Sequence, residues 1–482
     1  MSIGGCFYQG PNFAHYRTEA MKWIFAAQTW LSSPFEKAKL HTSTIQIQCL
    51  LIIARQYYSI SGDLVWISAG TLLRTAIQMG FHRDPKGLPR MGTLQAEMRR
   101  KLWATILELN IQSSIVSGMP FLIVSQGACR FPVVSNVTQS EQDWDTEPPA
   151  NIDDIDISDT TTDPIAPKPS AIFTQATLQI LLLQVFRPRL EVIQYSNSIR
   201  SEHSYDDALR VGAELSKACR DNKNFISRVN RTRESEAKIT QLNINLFDLS
   251  IRLFLLILHR PFASKGMEDP HFYFSRKICL ETAVTMLNYP SSESPTTNRV
   301  VDNIIRDDYA QFKIVNGGFL KGIIVYAAVV IFQELHTQLE EEGPSFTQET
   351  KASRETLKQC LRDTMDLTVD RITTGENNVM GHLLLSVFLA QVEATEEGVN
   401  PDFVILETAK KKLLFRYDLL SARMVGIHDL IPVDTDPSGV LQDCEIPQDF
   451  GEDFAFQEWS VAQDIQGSWL QSACEDGVWW HW

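Results

Sequence analysis

No C-x-x-C spacing occurs anywhere in this sequence. Its eight cysteines, at positions 6, 49, 129, 219, 279, 360, 444 and 474, are never closer than thirty residues. That scatter excludes a zinc site or redox dithiol of the usual spacing and fits reduced, buried thiols. Long hydrophobic runs are scarce too. The longest, "GIIVYAAVVIF" at 322–332, has eleven residues, against roughly 20 for a bilayer span. The first twenty residues lack a basic stretch leading into an apolar one, so they are not read as a signal peptide. A soluble chain without membrane contact is expected. Catalytic signatures are missing as well: no G-x-S-x-G, H-E-x-x-H, P-loop or G-x-G-x-x-G. The nearest approaches to a magnesium-binding D-D-x-x-D cluster are Asp153-Asp154-Ile155-Asp156 and Asp307-Asp308. Neither has an acid at the fifth position. No enzyme and no cofactor are expected.

Helical periodicity is abundant. Apolar residues make up 44% of the 482, enough for a large core. Apolar positions at three- and four-residue spacing predict helices over 20–31, 44–61, 62–80, 93–118, 176–194, 205–228, 239–262, 271–289, 306–337, 352–374, 378–394 and 401–424. Strand-like alternation is rare. The expected fold is all-α: a large, multi-helix, solenoid-like regulatory domain with an irregular acidic C-terminal tail. In 62–80, Trp66, Ala69, Leu73, Ala76 and Ile77 form one stripe, with Asp63 as N-cap and Gly80 as the left-handed residue after the end. In 93–118, Thr93 caps, Glu97 and Lys101 pair at i,i+4, and Gly118 with Pro120 stop the helix.

Charge is unevenly distributed. The net charge is −15, which speaks against direct phosphate binding. Residues 1–130 nevertheless hold 13 Lys/Arg against 6 Asp/Glu. Residues 131–170 hold nine acids, one Lys and several Pro and Thr, and read as a linker or ordered surface excursion. Residues 432–482 hold eleven acids, eight Phe/Trp and no Lys or Arg. That acidic-aromatic composition, with Phe450, Phe454, Phe456, Trp459 and Trp469, suits docking onto a coactivator; an extension without a role has the same composition. "KKKLLFR" (410–416) reads as a solvated helix face or a nuclear localisation signal, the former favoured.

Two polar knots follow apolar helices. In "AIQMGFHRDPKG" (76–87), His82 with Asp84 could be a base and its orienter. The structural account is simpler: Gly80 turns the chain, Arg83 sits at the helix C-terminus, Asp84 caps locally, and Pro85 blocks continuation. "LHRPF" (258–262) poses the same choice. There Pro261 is expected to stop the helix, with His259 and Arg260 on its last carbonyls and Phe262 just beyond.

These pieces, taken in order, resemble the middle homology region of fungal-specific transcription factors. The resemblance runs over about residues 10–420. It is carried by the Trp66 helix ending in Gly80-Phe81-His82-Arg83-Asp84-Pro85, and by Glu97, Arg99, Arg100 and Trp103. A turn with Ser114, Gly118 and Pro120 follows, then "PPANIDDIDI" (148–157), and His259-Arg260-Pro261-Phe262 with Ser275 and Cys279. The resemblance implies parts at 1–130, 131–170, 171–425 and 432–482: first helical part, linker, second helical part and effector tail. It also implies nuclear location and RNA polymerase II-dependent regulation of a metabolic or biosynthetic pathway. The helical body would sense a small-molecule effector, and partners would be a coactivator or a homologous factor. The family's six-cysteine zinc cluster is not within these residues. DNA would then be read only indirectly or through a missing N-terminal domain. The alternative is a non-DNA-binding interaction or repressor module paired with a full-length factor.

Overall fold

The computed structural model describes residues 4, 13–32, 40–58, 60, 64–88, 91–121, 144–158, 166–197, 204–232, 239–266, 269–290, 308–316, 318–341 and 348–428. Among these there are 14 α-helices and no strand. They are α1 (Phe13–Ser32), α2 (Thr42–Tyr57), α3 (Val65–Gln78), α4 (Thr93–Val116), α5 (Thr177–Gln184), α6 (Phe186–Ser196) and α7 (Tyr205–Thr232). The series continues with α8 (Gln241–Lys265), α9 (Tyr273–Leu287), α10 (Asp308–Val315), α11 (Phe319–Glu340), α12 (Gln348–Thr374), α13 (Met380–Glu397) and α14 (Pro401–His428). The all-α, multi-helix expectation holds. The 432–482 tail, with Phe450, Phe454, Phe456, Trp459 and Trp469, lies outside the described residues, as does Asp63.

The chain divides after Glu334 into two compact units. In the first, neighbours in sequence are neighbours in space: α3 packs on α4, α7 on α8, and α8 on α9. α8 is the hub, also touching α6 and α10, and Phe254, Leu256 and Ile251 are fully buried along it. By length and composition α8 and residues 322–340 could cross a bilayer, yet 67% and 56% of those windows are buried inside the protein. In the second unit α12, α13 and α14 pack together around Leu383, Val387, Ile405 and Ala409. Gly398, at φ 70°, ends α13 and lets Val399 N–H reach Ala394 O, and Pro401 opens α14.

Several local expectations change. Thr93 is the first residue of α4, and Gly92 precedes it with no side-chain cap. The segment 176–194 is two helices. Pro188 cannot donate to the Gln184 carbonyl, so the helix ends at Gln184 and restarts at Phe186. The segment 306–337 also breaks, between Val315 and Phe319. There Gly318 N–H donates to Gln56 O at 2.8 Å, and a Cβ on Gly318 would lie 2.6 Å from that oxygen, so only glycine fits. Asn316 Oδ1 accepts from Leu320 N–H and starts α11. α8 does not stop at Pro261; it runs on to Lys265. The proline removes one ladder bond near the end of a helix whose packed face holds it in place.

Gly212 in α7 is another enforced glycine. A Cβ there would sit 2.3 Å from Nε2 of His259, whose ring is fully buried. Gly212→Ala should therefore lower stability by about 1–3 kcal/mol despite alanine's better helix propensity. Urea unfolding of the full chain checks this; an unchanged midpoint would show that His259 yields freely.

Candidate functional site: the charged knot, the histidine seam and a cavity

The end of α3 is a Schellman turn. Gly80 adopts φ 73°, its N–H bonds Ile77 O, and Phe81 N–H bonds Ala76 O. Phe81 is thereby driven fully into the core. Arg99 from α4 donates to Met79 O at 3.0 Å and stacks 4.2 Å over the Phe81 ring. α4 ends in the same way, with Gly118 at φ 61° and Met119 N–H on Ser114 O. Beyond that stop, Pro120 O accepts the indole N–H of Trp66 at 3.1 Å, joining the start of α3 to the end of α4.

Asp84 is the centre of the knot. Its carboxylate accepts Lys86 N–H at 2.9 Å, Glu147 N–H at 3.0 Å, and two Arg100 donors at 3.0 and 2.8 Å. Arg100 also donates to Glu97 Oε1 at 2.6 Å, and Glu97 Oε2 accepts Ala150 N–H at 2.9 Å. So Glu97 does not pair with Lys101; that lysine reaches Asp154 instead. Burial pushes the Asp84 carboxyl up. Arg100 and the two N–H donors outweigh this and hold it at about 2. The same pairing raises Arg100 further above its ordinary value.

The knot's other half comes from 144–158. Glu147 and Ala150 flank Pro148-Pro149, where the backbone is extended and its N–H groups have no helical partner. They are satisfied by carboxylates of the knot. Asp145 N–H bonds His82 O, Asp145 Oδ1 accepts Asp84 N–H, and Thr146 hydroxyl donates to Phe81 O. Arg83 makes only an exposed 3.6 Å pair with Asp145, rather than serving the end of α3. Asn151 donates to Lys168, Pro169 and Ile172 carbonyls, and Lys168 bridges Asp153 and Asp156. The described parts of 131–170 are thus an ordered excursion. His82 stands 6.5 Å from Trp103, which continues to Trp144 and Phe186. Burial first, then Arg83, keeps the His82 ring below its ordinary pKa.

His259 sits elsewhere, on α8. Ser275 hydroxyl from α9 donates to Tyr205 Oη at 3.1 Å, so it accepts from Nδ1–H of His259 at 2.9 Å. Burial holds His259 at about 4. It bonds no terminal carbonyl, because the helix continues past it. Arg260 lies 4.8 Å over Tyr326, and Phe262 packs 4.9 Å from Tyr205. Cys279 donates weakly to Leu256 O, and burial raises its thiol. The two family motifs around 259 and 275 therefore meet across α8 and α9. The motif residues fall into three separate places: around Asp84, around the Trp66–Pro120 contact at the start of α3 and the end of α4, and around His259.

The carboxylates around Asp84 and the hydroxyl beside His259 are engaged internally. Asp84 and Glu97 spend their lone pairs on donors, and the Ser275–His259 pair is fully buried. Among the described residues no group of three or more His, Cys, Asp or Glu is placed to hold a metal. Open space lies instead in a cavity of about 290 Å³ within the first unit. Apolar Ile53, Leu182 and Phe312 line it with Thr105, Gln179 and Asn316. Its one carboxylate, Glu108, is held by both Arg189 nitrogens at 2.8 Å, so the wall is effectively neutral. Sequence reasoning missed Glu147, Tyr205, Gly212 and the Arg189–Glu108 pair, while Asn151 lay within the quoted segment 148–157. Only the Pro-Pro doublet beside Glu147 signalled an extended backbone with N–H groups to place.

A helical scaffold held by buried polar knots is the class of protein this geometry defines. Residues 7–227 match the fungal specific transcription factor domain. It is 33% identical to transcription factor opdR of Penicillium oxalicum, over 88% of this chain and 53% of that protein. It is 32% identical to transcription factor asR3 of Sarocladium schorii, over 83% of this chain and 47% of that one. The aspyridones cluster regulator apdR of Emericella nidulans is 28% identical over 86% and 53%. The chain thus spans about half the length of these curated relatives. No solved structure matches it.

Asp84→Asn should cost about 2–4 kcal/mol, because Arg100 then lies buried with one carboxylate fewer. The folded carboxyl sits below its unfolded value, so its stabilisation is complete above about pH 4. It is lost as pH falls toward 2, about 2 kcal/mol in all. Urea titrations at pH 5 and pH 2.5 should show this acid-sensitive component in the native chain and not in the variant.

Proposed function

We propose that this chain is a regulator of RNA polymerase II transcription for a secondary-metabolite pathway. In this reading the helical body regulates, and the acidic-aromatic segment 432–482 contacts coactivators. The observation that carries it is the match to the transcription factor domain, together with relatives that are named as cluster regulators. The Asp84 and Glu97 carboxylates, taken up by internal donors, agree with a scaffold role. DNA reading belongs to residues outside these 482 or to a partner factor, because the charge is −15 and no clustered cysteines are present. The neutral cavity supports a small uncharged effector with hydrogen-bonding groups. Nuclear location follows from the same reading.

The test fuses the whole chain, with and without residues 432–482, to a heterologous DNA-binding domain beside a reporter. Expression should rise with the tail and fall to background without it. Equal output from both fusions would remove the effector role.

A further inference from the structure

The cavity among α2, α4, α5, α8 and α10 has a polarity that its own hydrogen bonds fix. Thr105, Glu108 and Gln112 stand on it from α4 at steps of three and four, so they share one helix face. Gln179 joins them from α5 and Ser250 from α8. Each of the two hydroxyls gives its proton to a carbonyl of its own helix, Thr105 to Lys101 O at 2.9 Å and Ser250 to Leu246 O at 2.8 Å. What they keep is acceptor capacity, and the two glutamines use it. Gln179 Nε2 donates to Thr105 Oγ1 at 2.9 Å and to Lys101 O at 3.4 Å. Gln112 Nε2 donates to Glu108 Oε1 at 2.7 Å and to Ser250 Oγ at 3.5 Å.

A carboxylate and a carbonyl accept and never donate, so the nitrogen end of each amide is the end held by the wall. Oε1 of Gln112 and Oε1 of Gln179 are left over, and neither accepts a bond from any described residue. Glu108 is a third acceptor, its charge spent on Arg189. The side built by α4, α5 and α8 therefore accepts and does not donate. Gln56, on α2, keeps an unbonded amide that turns to suit either end of a ligand group. Thr105, which holds Gln179, and Gln112 are seven residues apart on α4, about 10 Å at the helical rise. Leu109, Leu182 and Phe312 supply apolar wall. A volume of about 290 Å³ is at the small end of ligand pockets.

We propose that this cavity binds an uncharged compound of about one or two rings that donates a hydrogen bond from each end, through a phenol or alcohol O–H or an amide N–H. Its donors meet Oε1 of Gln179 and Oε1 of Gln112. A compound with acceptors alone (a ketone, ester or ether) leaves both glutamine oxygens stripped of water and unpaired. A carboxylate or phosphate finds no donor on this wall and meets the Glu108 carboxylate besides. The inference deepens the effector reading given above and rests on it for its regulatory meaning; the binding itself does not.

Calorimetric titration of the full chain with para,para′-biphenol tests it. This probe has two rings and a hydroxyl at each end. Its difluoro analogue keeps the shape without a donor, and the biphenyl dicarboxylate keeps the length and adds charge. Biphenol should bind saturably and about tenfold or more tighter than the difluoro compound, the worth of one net hydrogen bond. The dicarboxylate should not bind. Gln112→Met and Gln179→Met remove an amide at similar volume. Each should weaken biphenol about tenfold and leave the difluoro compound unchanged. Absence of saturable biphenol binding, or equal affinity for the two neutral probes, overturns the proposal on the native chain alone, whether or not the variants fold. Unchanged biphenol affinity in folded Met variants overturns it too. Selective binding together with an inactive reporter fusion would sink the functional reading and keep the site; an active fusion without binding would do the reverse.

Discussion

The ion pair of Asp84 with Arg100 is the constraint on which the first unit's architecture turns. It joins the end of α3 to α4 and pulls in the extended strap at 144–150, through Glu147 N–H on Asp84 and Ala150 N–H on Glu97. Side chains 10–12% exposed have lost most of their water. Such a pair adds little over well-packed apolar residues, but removing one partner is costly. Its effect is therefore registration: with these geometric demands met, three chain segments have one way to fit.

The His259 region follows a similar logic with neutral groups. A chain of hydroxyls from Ser275 and Tyr205 fixes the imidazole tautomer, and Gly212 leaves room for the bare nitrogen. Both places look, as sequence, like reactive clusters; in the structure the Asp84 and Glu97 carboxylates are taken up by internal donors, while buried His82 Nδ1 and His259 Nε2 have no bond partner. Among the described residues, open features include a neutral cavity among α2, α4, α5, α8 and α10, and exposed apolar side chains on α14.

Much of this was legible in residues. Helix existence followed from apolar spacing, and Gly80 and Gly118 marked helix ends because the left-handed turn is a local demand that glycine meets. The breaks at Pro188 and at Asn316–Gly318 were also written in the sequence, as a proline near a helix start and a glycine doublet, but apolar periodicity overrode them. The partner of Glu97 was not legible. Lys101 at i,i+4 was available, yet Arg100 and a backbone N–H more than fifty residues away took the carboxylate.

The sequence by itself determined the all-helical class, the ordered motifs and the places where α3 and α4 stop, since each depends on periodicity, motif order or one residue's backbone freedom. Tertiary structure alone decided that α8 passes through Pro261, that Asp84 binds the 147 strap, and that α14 leaves apolar side chains exposed. Those outcomes turn on which surfaces meet. Surfaces meet through packing between segments far apart in the chain, which local propensity does not encode.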